Sequence, residues 1–354
     1  MQIRRVLALF VAIVIAASAT ALAQKKDEKQ QPKRSKAEQA DIDLLFKTVD
    51  SVSAGQPAPT DVTLAWEGNH FVKGQNGTTY IPFSVTVDRS KLAKDAAVYI
   101  RVVDKNAPAP APAAAPANDK DKDKDKNQAP PAAPTFAWSS IHFIQVPADG
   151  KLSRAIALPP GEYDAYIAVK DKGTDQKNPP PPKVGVLKHE LKVPDYTATA
   201  GLVTSSVILA KTVEPMSQQL SPAQQEENPY VFGTMKIVPS EDAKFTKAGE
   251  LQVIFWIYGA TEAAGGKPDV QVDFNFHQKL AEGEKYFNKT APQQLNAQTL
   301  PPEFSVAAGH QLPGSLVVPL ASFPEGSYRL EIKVTDKPSG KTVTQNVDFT
   351  VTPS

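Results

Sequence analysis

The chain has 354 residues with 39 Lys+Arg against 38 Asp+Glu, so a formal net charge of +1 argues against a nucleic-acid reader. It contains no cysteine, which excludes disulfides, thiolate zinc sites, cysteine nucleophiles and lipidation through an N-terminal Cys. Hydrophobic residues make up 41%, enough for a globular core, while 32 prolines, about twice the usual share, demand long stretches outside regular structure.

Residues 1–23 carry the parts of a secretory signal: Arg4 and Arg5, an apolar stretch from Val6 to Ala17, and Ala21-Leu22-Ala23 as a small-x-small cleavage site. The expectation is a periplasmic or secreted protein with no membrane span after cleavage. Lys25, Lys26, Lys29, Lys33, Arg34 and Lys36 then form a basic arm over 24–38 with too few apolar residues to offset the entropy of ordering. It reads as a disordered, solvated spacer, with a tether to anionic envelope polymer as the alternative; Asp27, Glu28 and Glu38 dilute its charge. Ile42, Leu45, Phe46, Val49 and Val52 recur at spacings of three and four, which predicts a short amphipathic helix over 36–53. It would dock on the first domain or on a partner.

From Pro57 onward, short runs of period-two alternation are broken by Gly, Pro, Asn and Asp, and the expected class is all-β. Asn76-Gly77 is the dipeptide of a tight hairpin turn. Between strands 97–103 and 136–146 lies 106–135, an Ala/Pro tract followed by Asp-Lys alternation, which cannot form a core and reads as a disordered insertion. Asp119, Asp121, Asp123 and Asp125 imitate the start of a calcium loop, but the alternating Lys and the missing Gly and Glu defeat that reading. Asn178–Lys183, with four consecutive prolines, bulges the hairpin before the next strand.

Pro159, Gly161, Tyr163, Ile167, Val169, Asp171 and Lys172 recur as Pro324, Gly326, Tyr328, Ile332, Val334, Asp336 and Lys337 at a constant offset of 165 residues. Each copy follows a short apolar strand and precedes a turn and a final strand, so 57–195 and 196–354 read as one ancestral domain duplicated. In this element the Gly makes the turn and the Tyr opens a strand with its ring inside. The element resembles the tyrosine corner of immunoglobulin-like and fibronectin type III-like sandwiches, which implies two tandem antiparallel β-sandwich domains and no particular function. The stretch Phe323–Thr342 also looks like the sandwich domain of exported bacterial GWxTD-type proteins, although the Gly-Trp-x-Thr-Asp motif itself is absent. That likeness implies an envelope protein.

In the second domain, strand 251–258 is apolar on both faces, with Leu251, Val253, Phe255 and Ile257 on one and Ile254, Trp256 and Tyr258 on the other. A lone sandwich needs one apolar face. Either the long segments 213–230 and 288–310 cover the second, or Trp256 and Tyr258 form a domain or partner interface.

No nucleophile elbow, zinc helix or dinucleotide turn is present, and Gly340-Lys341-Thr342 reads as a hairpin turn. His70, His142, His189, His277 and His310 are scattered without ligand spacing and are expected at surfaces or hairpins. No catalytic residue, metal ligand or cofactor is therefore assigned; Gly161, Tyr163, Gly326 and Tyr328 are structural corners. The expected function is that of a non-catalytic exported interaction or scaffold module for an envelope protein or cell-wall polymer. The alternatives are a periplasmic chaperone-like or accessory protein that adds a client strand to an exposed sheet edge, or a carbohydrate-binding module using Tyr166, Tyr286 and Phe287. An unpaired apolar edge strand beside the interdomain cleft would mark the first; the sequence identifies none, and the Lys- and Thr-rich final strand reads as a protected edge.

Overall fold

The computed structural model describes residues 34–92, 95–107, 136–173, 181–197, 201–263 and 265–354. The signal sequence, most of the basic arm, almost all of the 106–135 insertion and part of Asn178–Lys183 lie outside these residues. Helix α1 (Lys36–Ser53) is started by a capping box, in which Ser35 Oγ accepts from the Glu38 amide at 3.1 Å and Glu38 Oε2 from the Ser35 amide at 3.1 Å. Its apolar stripe buries Ile42, Leu45 and Val49.

The first half consists of β1 (Leu64–Asn69), β2 (Val72–Lys73), β3 (Thr79–Val87), β4 (Asp95–Asp104), β5 (Trp138–Gln145), β6 (Lys151–Leu158), β7 (Gly161–Asp171) and β8 (Val184–Val193). In one antiparallel sheet β3 is flanked by β6 on one side and by β1 and β2 on the other; the second sheet has the order β5-β4-β7-β8. Ile81, Phe83 and Val85 from the first sheet meet Val98, Ile100, Ile167 and Leu191 from the second in a shared core. Asn76 and Gly77 both have positive φ, 52° and 74°, as a type I′ turn between β2 and β3 requires.

The outer face of β4 and β7 is apolar too, because α1 lies on it. Leu45 and Val49 pack with Ala97, Tyr99, Tyr166 and Ala168. A buried ion pair between Asp41 of α1 and Lys170 of β7 fixes the register of the helix, and the same carboxylate accepts from the Gly173 amide at 2.7 Å. Asp50, nearer the C-terminal end of α1, meets Arg101 at 2.5 Å, and the Arg101 Nε donates to the Tyr99 hydroxyl at 2.8 Å.

The second half contains β9 (Val203–Thr204), β10 (Ile208–Pro215), α2 (Pro222–Glu227), β11 (Val231–Phe232), β12 (Met235–Pro239), β13 (Lys244–Thr246), β14 (Glu250–Tyr258), β15 (Val270–Leu280), β16 (Gly283–Lys289), β17 (Gln293–Leu295), β18 (Leu312–Pro319), β19 (Gly326–Asp336) and β20 (Lys341–Thr352). One sheet has the order β11-β12-β10-β14-β18 with β9 also on β14, and the other β13-β20-β19-β15-β16 with β17 also on β15. Among the described residues only β13 runs parallel to its neighbour, β20. The period-two faces are as expected: Val270, Val272, Phe274 and Phe276 are buried with Tyr328, Leu330, Ile332 and Val334.

Both repeat elements form the same corner. The Tyr163 hydroxyl donates to the Pro159 carbonyl at 3.0 Å and the Tyr328 hydroxyl to the Pro324 carbonyl at 2.7 Å. Gly326 supplies φ 137°, which a residue with a Cβ adopts only under strain. At Gly161 an added Cβ would stand 3.2 Å from the Tyr163 ring it has to clear. The chain is thus an all-β protein of immunoglobulin-like sandwiches.

Candidate interdomain cleft

The second apolar face of β14 lies between the two halves. Trp256 and Tyr258 are buried with Ile208, Ile254, Tyr230 and Ile237 of the second half, Tyr196 of the linker, and Val72 of the first half. Trp256 meets the Phe232 ring at 4.8 Å and Tyr258 the Tyr196 ring at 5.0 Å. Of the two segments expected to cover this face, 213–230 does so. The segment 288–310 does not: Leu295, Leu300 and Phe304 enter the core between the sheets, on the opposite face of β14. The place expected for it is taken by β2 and its preceding turn, which bring aromatic and main-chain groups together.

Main-chain pairing makes this junction directional. The Phe71 amide donates to Ser206 Oγ and the Ser206 amide to the Phe71 carbonyl, both at 2.9 Å. The Lys73 amide donates to the Tyr258 hydroxyl at 3.0 Å, and the Tyr80 hydroxyl to the Pro229 carbonyl at 2.9 Å. His70, expected at a surface or hairpin, stands here with Nδ1 2.9 Å from the Tyr230 hydroxyl, and burial lowers its pKa to about 4. Its chain neighbours Phe71 and Val72 carry it into the junction. Lys151 and Glu241 add an ion pair between the halves.

Beside this junction an open cleft of about 670 Å3 runs between the halves. One wall is Phe143–Gln145 of β5 and Lys151–Arg154 of β6, and the other is Glu227–Val231 with Lys236–Pro239 of β12. The volume falls within the range of about 300–1,000 Å3 usual for ligand sites. Among the described residues β5 pairs only with β4, and β6 only with β3, so the first wall is made by two unpaired sheet edges. On the second wall, β11 covers Met235 and Lys236 of β12 but not Val238 or Pro239.

Unpaired edges invite another strand, and most edges of this protein are protected against it. β8 carries Lys188, Glu190 and Lys192; β16 carries Glu284, Lys285 and Lys289; β18 contains Pro313; β1 is bulged between Trp66 and Gly68. β11 and β13 are two and three residues long. β5, Trp138-Ser-Ser-Ile-His-Phe-Ile-Gln145, has eight residues with no Lys, Arg, Asp, Glu or Pro and no bulge in its register with β4. Its one titratable side chain, His142, has a pKa lowered to about 4 by burial and by Arg154, against the opposing pull of Glu227, so it is neutral near pH 7. Ser140 Oγ holds its Nε2 at 2.8 Å.

Arg154 is the charged residue that the sequence reading overlooked. The pattern Leu152-x-Arg154-x-Ile156-x-Leu158 places a guanidinium among the inward positions of β6, opposite Phe83, a break in period-two alternation legible in the sequence itself. The row of aromatics considered for carbohydrate does not exist. Tyr166 is buried beneath α1, Phe287 packs on Phe323 and Tyr328, and Tyr286 alone is exposed. Among the described residues there is no cluster of three His, Cys, Asp or Glu able to hold a metal, and no helix long and apolar enough to cross a membrane.

No protein-family model and no curated relative matches the chain. Among solved structures it is similar to Escherichia coli alpha-2-macroglobulin activated by porcine elastase, at 10% identity and a TM-score of 0.21. The match covers 84% of this chain, which spans 22% of that structure's length.

Proposed function

We propose that this chain is an exported, non-catalytic interaction protein of the bacterial envelope that captures an extended polypeptide segment by strand addition along β5, in the cleft between its halves. One observation carries the reading: β5 is a long, uncharged, proline-free sheet edge, and its C-terminal residues Phe143–Gln145 line the cleft. An added strand would gain main-chain hydrogen bonds from β5 and contacts for alternate side chains from Leu152 and the 227–239 wall. The signal-like residues 1–23 support export, and the likeness of Phe323–Thr342 to GWxTD-type proteins supports the envelope as the compartment. The Trp256 and Tyr258 face serves the protein's internal junction in this reading, which holds the two walls of the cleft at a fixed spacing.

The test uses phage-displayed heptapeptides selected on the full mature chain, then resynthesised with N-methyl groups on alternate amides. Strand addition predicts that one methylation register weakens binding by about ten- to a hundredfold and the other does not, since only one set of alternate amides faces β5 and its methylation removes two or three main-chain hydrogen bonds. Hydrogen exchange should slow at β5 amides when the parent peptide binds. Recovery of no peptide, or of peptides indifferent to methylation in both registers, refutes the proposal.

A further inference from the structure

Arg154 has no ion-pair partner among the described residues, although it lines a cleft in which the other cations are matched. Lys151 is paired with Glu241, and Lys236 with Glu214 at 3.5 Å. The Arg154 Nη1 donates to the Ser153 carbonyl at 2.8 Å, which leaves the rest of a five-donor fork without a protein acceptor in the described structure. Glu227 and Glu226 of α2 attract it electrostatically but stand beyond ion-pair distance, while burial lowers its pKa. A half-buried guanidinium without an anion is unfavourable, and the group it is shaped to accept is a planar carboxylate, held through two parallel N–H bonds.

We propose that Arg154 is the carboxylate-binding residue of the cleft: a polypeptide segment laid along β5 delivers a carboxylate, from its own C-terminus or from an Asp or Glu side chain, onto the Arg154 guanidinium. The inference rests on the strand-addition reading and adds to it the chemistry of the partner. Geometry supplies the pairing. Arg154 lies on β6 and the docking edge on β5, and Arg154 and Phe143–Gln145 border the same cleft, so a segment in contact with that end of β5 shares the cleft with the guanidinium. Arg154 also stands close enough to His142 of β5 to act on its charge. A negative charge set between them favours the imidazolium, so occupancy has a spectroscopic signature on the protein side.

The experiment takes the selected heptapeptide in three forms: the free acid, the C-terminal amide, and the form with each Asp or Glu replaced by Asn or Gln. Each is titrated calorimetrically into the full mature chain as wild type, Arg154→Lys and Arg154→Gln. Removing the right carboxylate should weaken wild-type binding by about ten- to a hundredfold, as expected for a hydrogen bond to a charged group, and the form that weakens identifies its source. Arg154→Gln should bind all forms with the weakened affinity, and Arg154→Lys should recover part of the loss, keeping the charge without the fork. In wild type, the carboxylate form should raise the His142 pKa above its value of about 4, and the form lacking it should not. If all forms bind equally well while methylation sensitivity persists, the carboxylate assignment is wrong and strand addition stands. Loss of methylation sensitivity overturns both. Arg154→Gln that self-associates with unchanged peptide affinity overturns the assignment and makes Arg154 an inward charge guarding the β6 edge. Arg154→Lys, with charge retained, keeps the comparison interpretable should the Gln variant unfold.

Discussion

Replacing Tyr328 by Phe isolates the energetic content of the repeated corner. The ring is fully buried, stacked on Phe349 at 5.3 Å and edge-to-face with Phe323 at 5.4 Å and Phe287 at 5.6 Å, and Phe retains all of these contacts. What disappears is one 2.7 Å hydrogen bond to the Pro324 carbonyl. No backbone amide is paired with that carbonyl among the turn and loop hydrogen bonds, and because Pro324 is exposed the freed acceptor is left to solvent. The expected cost is therefore that of one net hydrogen bond, about 0.5–1.5 kcal/mol. For a unit of roughly 150 residues this lowers the melting temperature by about 2–4 °C per kcal/mol, or about 1–6 °C in total. Tyr163→Phe, with its 3.0 Å bond to the Pro159 carbonyl, should destabilise the first half in the same way. Urea unfolding gives the free energy, and amide exchange in β7 and β19 assigns the loss to one half, which matters because two linked sandwiches need not unfold in one step. Losses below about 0.5 kcal/mol at both positions would refute the reasoning, since that is the scatter of surface substitutions that break nothing.

Asp41→Asn should free α1 from the sheet. It leaves Lys170 buried without its anion, which costs about 3–5 kcal/mol, whereas Asp41→Leu with Lys170→Met should recover most of that loss; limited proteolysis within 36–53 reads both. Acid should loosen the junction between the halves. The His70 pKa is about 4 in the folded chain against about 6.5 unfolded, so its contribution to stability is constant above pH 6.5, falls as the pH drops towards 4 and is flat below. The limiting loss is about 3 kcal/mol, and His142, lowered to about the same value, acts in the same window. Urea unfolding of His70→Gln between pH 7 and pH 4 should show a shallower pH dependence than wild type; an unchanged slope would place the linkage elsewhere.

Local chemistry and period determined much of this protein in advance. Alternation in 328–334 and 270–276 fixed which face of each strand is core, the repeat offset by 165 residues announced two equivalent corners, and the spacing of Ile42, Leu45 and Val49 announced α1. These are short-range rules, because a side chain's face depends only on its own strand or helix. Which surface receives an apolar face is a different matter. The doubly apolar β14 required a cover, but only packing decided that β2 and the 213–232 segment provide it while 288–310 turns inward. The buried Asp41–Lys170 pair joins residues 129 positions apart and leaves no trace in local pattern. An unpaired edge is defined by what is missing beside it, so neither the exposure of β5 nor the cleft in front of it is a property of residues 138–145 alone. Arg154 shows both sides: its sequence places a charge on an inward face, and only the tertiary structure reveals that no carboxylate of the described chain reaches it.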